Sequence, residues 1–203
     1  MLFASGPDPL PGNETRQDTL WLKQQIQNGR VWENRYGWIE GHEYFLTEAL
    51  CEGRVTVSGR EFKNQLLRYD ILNDDAVLMV RPDQFIILNS ETVGEFTIIC
   101  QNREYRFVNF REFGYCLVLY DGKTKLLRKY AKSVKKQSYD NLYATFVEES
   151  KDYIVSDGTF HTVRNRKDLI RALAGRENEI REYIRKNPIG RIAGNTGSII
   201  PVL

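Results

Sequence analysis

Short segments in which apolar and polar residues alternate recur through much of the chain, and this period of two most constrains the fold. The segments are rich in Val, Ile, Phe and Tyr and are bounded by Gly, Asn, Asp or Pro. They lie at residues 54–58, 67–72, 76–80, 84–88, 95–100 and 104–108. Such alternation is typical of β-strands with one buried face, and the close spacing predicts antiparallel neighbours joined by short turns.

Two Asp-Gly dipeptides predict hairpins further along the chain. Asp121-Gly122 separates residues 115–120 from 123–130, and Asp157-Gly158 separates residues 153–155 from 159–163. Because Asp and Gly tolerate positive φ angles, both dipeptides are predicted to form two-residue hairpin turns. A weaker strand is predicted at residues 143–147.

At both ends of the chain the apolar residues are spaced as in amphipathic helices. Apolar residues among Gln and Lys predict a short helix over residues 15–28, closed by Gly29. Asn165 is a favourable N-cap, and after it apolar residues recur every three or four residues. This spacing predicts two short helices over residues 167–187, separated at Gly175 and ended by Pro188. Residues 199–203 are expected either to add an edge strand or to fray.

These patterns predict a mainly β (α+β) fold of about eight to ten strands, arranged as an antiparallel meander or a half-open barrel, with a short N-terminal helix and two short C-terminal helices. We expect a disordered leader at 1–15, a single β-rich domain at 16–187 and a C-terminal tail at 188–203. The chain is 41% hydrophobic and 12% aromatic, which excludes a disordered class. A chain of 203 residues buries about 70% of its unfolded surface, so neither a metal nor a disulfide framework is required.

The charge is unevenly distributed. Residues 1–100 hold nine Lys/Arg and fifteen Asp/Glu, a net charge of −6, whereas residues 101–203 hold twenty and twelve, a net charge of +8. The two halves are expected to attract each other, or to present an acidic and a basic face to different partners.

The sharpest charge feature is a basic run without acidic residues between Gly122 and Gln137, which we call the basic arm. An exposed arm of this kind could bind an acidic protein surface or anionic membrane headgroups, ahead of nucleic acid, for which no fold signature is present. The alternative is a solvated hairpin that protects an edge strand. Exposed lysines contribute little to stability, so charge reversal of Lys125, Lys129 and Lys132 is expected to leave the fold nearly intact and to weaken binding. The arm comprises Lys123, Lys125, Arg128, Lys129, Lys132, Lys135 and Lys136.

Residues able to carry catalysis are few. His42 and His161 are the two histidines, and the sequence contains no GxSxG, HExxH, P-loop or GxGxxG motif. Cys51, Cys100 and Cys116 lack zinc-ligand spacing and can form at most one disulfide. Cys100 and Cys116 lie in apolar strand-like runs and are expected to be free, buried residues, with a single bridge as the alternative. We therefore predict no catalytic site, no metal site and no cofactor.

Two other residue clusters permit a functional reading. The acidic group of Asp70, Asp74, Asp75 and Asp83 does not match a calcium loop and is expected to be a polar turn after a strand. Most of six aromatic residues near the N-terminus are expected to lie in the core or to pack the N-terminal segment onto the sheet, with a ligand cavity lined by them as the alternative. They are Trp21, Trp32, Tyr36, Trp38, Tyr44 and Phe45.

Five stretches together resemble uncharacterised β-rich envelope proteins of Bacteroidetes bacteria. The stretches are WIEGH at 38–42, EGRVTVSG at 52–59, LRYDILND at 67–74, the hairpin at 113–127 and IREYIRKN at 180–187. The resemblance covers residues 36–187 and implies export, through a signal peptide, to the periplasm or outer membrane. It carries no functional residues.

We therefore expect an extracytoplasmic, non-catalytic protein that acts through protein or surface contacts as an accessory component of a larger assembly; a cytoplasmic location is the alternative. Its expected partner is a protein of the cell envelope, with contact to an anionic membrane surface as a further possibility, and the sequence leaves the oligomeric state open. One competing hypothesis is a soluble carrier of a lipid or other apolar ligand, and it requires a large apolar cavity. The other is an enzyme, and it requires His42, His161 or a cysteine in a cleft beside a carboxylate.

Overall fold

The structure, a computed structural model, describes residues 28–136, 144–186, 199–200 and 203. Eleven strands form one antiparallel sheet in this part of the chain. The predicted leader at 1–15 and N-terminal helix at 15–28 lie almost entirely outside the described residues. The strands are β1 (Arg30–Val31), β2 (Cys51–Val57), β3 (Arg60–Asp70), β4 (Asp75–Arg81), β5 (Gln84–Ile87), β6 (Val93–Cys100), β7 (Arg103–Phe110), β8 (Gly114–Asp121), β9 (Lys125–Lys136), β10 (Ala144–Ser156) and β11 (Thr159–Thr162).

Two meanders meet at the centre of the sheet. Strands β2 and β6 are neighbours at the centre. On one side of them β3, β4 and β5 follow in turn, with β1 paired to β5 at the edge, and on the other side β7 to β11 follow in turn. The strand order is β1-β5-β4-β3-β2-β6-β7-β8-β9-β10-β11. The predicted β-rich antiparallel fold is therefore confirmed, and among the described residues the sheet is open, with β1 and β11 as its edges. The sequence pattern missed β1, and it split the continuous strand β10 into two pieces.

The sheet curves so that the end of β3 returns to β9. The backbone N–H of Lys132 donates to the Ile71 carbonyl at 2.9 Å. On the same side, the chain before β2 bridges the two meanders, because Phe45 N–H donates to the Tyr69 carbonyl at 2.8 Å and Glu40 N–H donates to the Ala144 carbonyl at 3.2 Å. This curvature creates a concave interior that must be filled.

Aromatic side chains fill the interior of the curve. The rings of Tyr69 and Phe107 lie 4.8 Å apart, those of Phe96 and Phe107 stack at 5.1 Å, and Phe45 meets Phe107 edge-on at 5.2 Å. Tyr69, Phe96, Phe107 and Tyr115 are almost completely buried. Each ring of this size buries about 150–250 Å², so the four rings make a large contribution to the core.

Two helices follow the sheet, as predicted: α1 (Arg166–Ala172) and α2 (Glu177–Lys186). The Asn165 side chain caps α1 by accepting from the N–H groups of Lys167 and Asp168 at 2.9 and 3.0 Å. The helices cover Leu126 of β9 and Ile154 of β10, and Ile199 of the tail is fully buried in the same cluster. The predicted stop at Pro188 lies outside the described residues.

The two Asp-Gly turns differ. Asp157 and Gly158 have φ angles of 49° and 76°, and Ser156 pairs with Thr159, so the predicted two-residue hairpin is confirmed. The prediction for Asp121-Gly122 is wrong. Asp121 pairs with Lys125 across a three-residue loop, and the backbone of Gly122 does not take a positive φ. A register shift between residues 118 and 120 of β8 accommodates the longer loop.

A disulfide joins the two meanders. Glu52 of β2 pairs with Ile99 of β6, which places Cys51 and Cys100 opposite each other with 5.5 Å between their Cα atoms. Their sulfurs form a disulfide, so the expectation that Cys100 is a free thiol is wrong, because strand pairing brings together cysteines 49 residues apart. Cys116 is free and buried, as expected.

The early aromatic residues divide between core and surface. Tyr44 and Phe45 are buried, as expected. Trp38 is 64% exposed and therefore lies outside the core. Trp21 lies outside the described residues.

Candidate binding cleft

A cleft of about 1250 Å³ opens where three turns meet β9. The turns connect β3 with β4, β5 with β6, and β7 with β8, and the curvature of the sheet brings them to one end of the fold. Polar surface exceeds apolar surface in the lining, and its charged and amide side chains include Asp74, Glu91, Asn109, Arg111, Glu112 and Lys129.

The floor of the cleft is an ion pair supported by two tyrosines. The ammonium of Lys129 lies 2.6 Å from Asp74 Oδ1 and donates to the Tyr115 carbonyl at 3.2 Å. The Tyr69 hydroxyl donates to Asp74 Oδ1 at 2.5 Å, and the Tyr115 N–H donates to Asp74 Oδ2 at 3.3 Å. Burial and the neighbouring Asp74 carboxylate raise the pKa of Tyr69, which keeps its hydroxyl protonated as a donor. The Lys129 and Asp74 charges are thus compensated within the fold.

Gly114 allows Asp74 to reach this position. Its φ is +67°, and a Cβ at this residue would lie about 1.7 Å from Asp74 Oδ2. A side chain would therefore displace the carboxylate, and the positive φ independently favours glycine.

The rim of the cleft is exposed. Arg111 and Glu112 lie on the β7–β8 turn and Glu91 lies on the β5–β6 turn, all open to solvent. The two turns are tied together because Asn109 Nδ2 donates to the Ser90 carbonyl at 2.7 Å. A rim with charges of both signs suits a polar, hydrogen-bonding surface of a partner.

The structure divides the predicted basic arm. Lys129 forms the cleft floor, and the ammonium of Lys132 donates to the carbonyls of His42 and Tyr44 at 2.8 and 2.7 Å. Arg128 makes a two-point contact with the buried Asp152, at 2.7 Å from Nε to Oδ1 and 3.1 Å from Nη2 to Oδ2. These three cations are held inside the fold.

The other arm residues lie nearer to solvent. Lys125 pairs with Asp121, which also accepts from Arg106, and the two cations lower the pKa of Asp121. Lys123 is exposed at one end of β9, and Lys135 and Lys136 are exposed at the other. Twelve residues of strand span roughly 40 Å, so the exposed cations form two separate positions rather than one patch.

The histidines lie outside the cleft. His42 Nδ1 accepts from the Tyr44 N–H at 3.2 Å, and the imidazole stacks on the Tyr44 ring. Burial and the charge of Lys132 lower the pKa of His42. His161 on β11 shares a smaller cavity of about 320 Å³ with Asp168, whose carboxylate accepts from the Arg164 N–H at 3.1 Å.

The acidic residues of the β3–β4 turn have structural partners. Asp70 accepts from the N–H groups of Leu72 and Asn73, both at 2.9 Å, which is the polar turn expected from the sequence. Burial raises the pKa of both Asp70 and Asp75. Within the described ranges, no group of three or more His, Cys, Asp or Glu side chains is arranged to hold a metal ion.

The cleft has no signature in the local sequence. Its rim residues are of types common in turns, and the sequence distinguishes them only by their position after the ends of predicted strands. The one local indication was Asp74 beside a turn, since an Asp can adopt a positive φ, here 62°.

Comparisons with known proteins give no match to a family model, to a curated protein or to a solved structure. In the part of the chain that the structure describes, no helix is long and apolar enough to cross a membrane.

Proposed function

We propose that the protein is a non-catalytic component of the cell envelope that binds a partner protein at the cleft. The observation that carries this proposal is the cleft itself, which combines a volume of about 1250 Å³ with an exposed rim of mixed charge. The floor charges are already compensated, so the rim residues are the ones available to a partner.

The polarity of the cleft favours this function over transport of a lipid or other apolar ligand. An apolar molecule seated here would remove water from carboxylates, a guanidinium and amides without replacing their hydrogen bonds, which is costly. A polar loop of a partner protein would replace those bonds. Mixed charges at a rim also favour orientation and specificity of binding.

The disulfide supports an extracytoplasmic location. Disulfides persist in oxidising compartments such as the periplasm and are rare in the cytosol. The Cys51–Cys100 pair therefore agrees with the export implied by the resemblance to envelope proteins.

Binding of the basic arm to anionic headgroups is less favoured than binding of a partner protein at the cleft. Of the seven arm residues, Lys123, Lys135 and Lys136 are exposed, and Lys125 is partly exposed but paired with Asp121. The three exposed lysines lie just before β9 and at its far end. Each exposed cation near an anionic membrane contributes about 1 kcal/mol, so divided positions give weaker attraction than one continuous patch.

Site-specific photocrosslinking in the native host tests the proposal. A photoreactive residue at Glu112 on the cleft rim should capture a discrete protein, whereas one at Lys63 should not. Lys63 is 69% exposed near the opposite end of β3 and serves as the matched control. Equal capture at both positions, or no capture at Glu112, would overturn the proposal.

A charge swap sharpens the test without changing net charge. The double variant Arg111→Glu, Glu112→Lys should lose the captured partner while keeping its thermal midpoint, because both residues are exposed. The control swap Glu61→Lys, Lys63→Glu should keep the partner. Retained capture in the cleft swap would contradict the assignment of the rim.

A further inference from the structure

We infer that β11 is a docking edge to which an extended peptide with alternating acidic and apolar residues adds as a twelfth strand. The inference rests on the proposed function in taking the partner to be a protein, and it identifies a second point of contact. It follows from the position of β11 at the sheet edge, from its hydrogen-bonding register and from the charge of the cavity beside it.

The register shows which backbone groups face outward. Ser156 pairs with Thr159 across a two-residue turn, and Ile154 pairs with His161. A two-residue turn is closed by a hydrogen-bonded pair, and such pairs alternate along an antiparallel ladder. Thr159 and His161 therefore face β10, while the N–H and C=O groups of Phe160 and Thr162 point away from the sheet. An added strand would bond to those groups.

The two faces of β11 differ in chemistry. Phe160 stacks on Phe113 with 4.1 Å between ring centroids and belongs to a partly buried cluster of apolar residues on one face of the sheet. His161 pairs with Ile154, which packs against the helices, so His161 projects to the helix face. A peptide paired with β11 would place alternate side chains over Phe160 and over the helix side.

The helix side carries positive charge. The cavity there has a volume of about 320 Å³, and Arg164 and Arg171 line it beside His161. Arg171 is 78% exposed and lies 4.0 Å from Asp168, the carboxylate that also accepts from the Arg164 backbone. Two guanidinium groups against one carboxylate leave a net positive cavity, which favours acidic side chains in the peptide.

The same charge argues against a second copy of this chain as the occupant. Antiparallel pairing of two β11 edges about a two-fold axis would bring Arg164 and Arg171 of both copies to one seam. Like charges facing each other across a seam are destabilising.

The test uses an acetylated eight-residue peptide that alternates Glu and Val, with a Lys-Val peptide as the charge control. The Glu-Val peptide should slow amide hydrogen exchange at Phe160 and Thr162 by about tenfold or more in the full chain, and the Lys-Val peptide should not. Thr162→Pro should abolish this protection at Phe160. It removes an outward N–H while leaving the β10 ladder intact, a position that proline tolerates at an edge.

Charge variants complete the test. Arg171→Glu should weaken binding of the Glu-Val peptide by about tenfold, whereas Arg181→Glu, an exposed control on α2, should leave it unchanged. Equal protection by both peptides, binding that survives Thr162→Pro, or self-association of the free chain through β11 would each overturn the inference. Capture at Glu112 without protection at β11 would reject this inference and retain the proposed function.

Discussion

The ammonium of Lys132 lies 2.7 Å from the carbonyl oxygen of Tyr44, and a second hydrogen bond of 2.8 Å joins it to the carbonyl of His42. These bonds attach β9 to the segment that precedes β2. The Lys132 side chain is only 9% exposed, and burial lowers its pKa. The assumption that the arm is exposed is therefore wrong for this residue, and its burial favours a stability cost for charge reversal at Lys132.

Replacing Lys132 should destabilise the fold. Lys132→Met removes two charge-assisted hydrogen bonds and leaves two carbonyls without their donor, a loss of about 3 kcal/mol. Lys136→Met, four residues further on the same face of β9, removes an exposed charge and should cost less than about 0.5 kcal/mol. Urea unfolding of both variants measures the difference. Matching midpoints would show that the Lys132 contacts contribute nothing.

Removal of the disulfide should lower the free energy of unfolding by more than the Lys132→Met substitution does. Cys51 and Cys100 are 49 residues apart, and closing a loop of that length in the unfolded chain corresponds to about 4 kcal/mol. Dithiothreitol should therefore reduce the free energy of unfolding of the wild type. It should have no effect on the double variant Cys51→Ala, Cys100→Ala. A reductant effect that persists in the double variant would place the redox sensitivity elsewhere.

Thiol labelling should give a specific count. Burial raises the pKa of Cys116 to about 11, and the side chain is inaccessible, so the native protein should react very slowly with iodoacetamide near pH 8. After unfolding without reductant, one thiol per chain should react, and after reduction three should react. Rapid labelling of a native thiol would contradict either the burial of Cys116 or the disulfide.

The two Asp-Gly turns should respond differently to substitution. Gly158→Ala forces alanine to a φ near 76° and should cost about 1–2 kcal/mol. Gly122→Ala should cost less, because the backbone of Gly122 has no positive φ and the atoms nearest to its new methyl group, 2.6–2.9 Å away, belong to the outer end of the Tyr120 ring, which has to shift. Thermal unfolding compares the two variants. A larger loss for Gly122→Ala would reverse the turn assignments.

Acidification should destabilise the protein through His42. Its pKa in the fold is below its ordinary value of about 6.5, so the unfolded state binds more protons once the pH falls to that range. The free energy of unfolding should therefore decrease as the pH falls through about 6.5 toward the pKa of the folded state.

The variant His42→Asn isolates this effect, because it keeps a short side-chain acceptor for the Tyr44 N–H and removes the titrating group. Chemical unfolding between about pH 7.5 and pH 5.5 should show a steeper loss in the wild type than in the variant. His161 is present in both proteins and cancels in the comparison. Identical slopes would mean that His42 does not contribute.

Local patterns in the sequence predicted the local parts of the fold. The cap at Asn165 and the turn at Asp157-Gly158 depend on a few adjacent residues, and both were predicted correctly. The middle of β10 was missed because Glu148 to Lys151 contains no apolar residue. Those residues are extended because they pair with β9, as Glu148 does with Lys132.

Non-local pairing explains the other differences. The contacts of Lys129 with Asp74, and of Lys132 with carbonyls near residue 43, join positions that are distant in the chain. A run of cations therefore looked exposed when several of its members were buried. The cleft was missed for the same reason, since three turns separated in sequence build it only after the sheet curves.

The cross-strand disulfide also governs how the chain responds to mechanical tension. Because Cys51 and Cys100 are covalently joined, a force applied at the two ends of the chain bypasses the segment between them. At about 3.5 Å per residue, the disulfide shortens the fully extended chain by roughly 170 Å. Strands β2 to β6, five of the eleven strands in the described part of the chain, lie within this loop, so an oxidised chain that is stretched retains a tethered segment from which refolding can start.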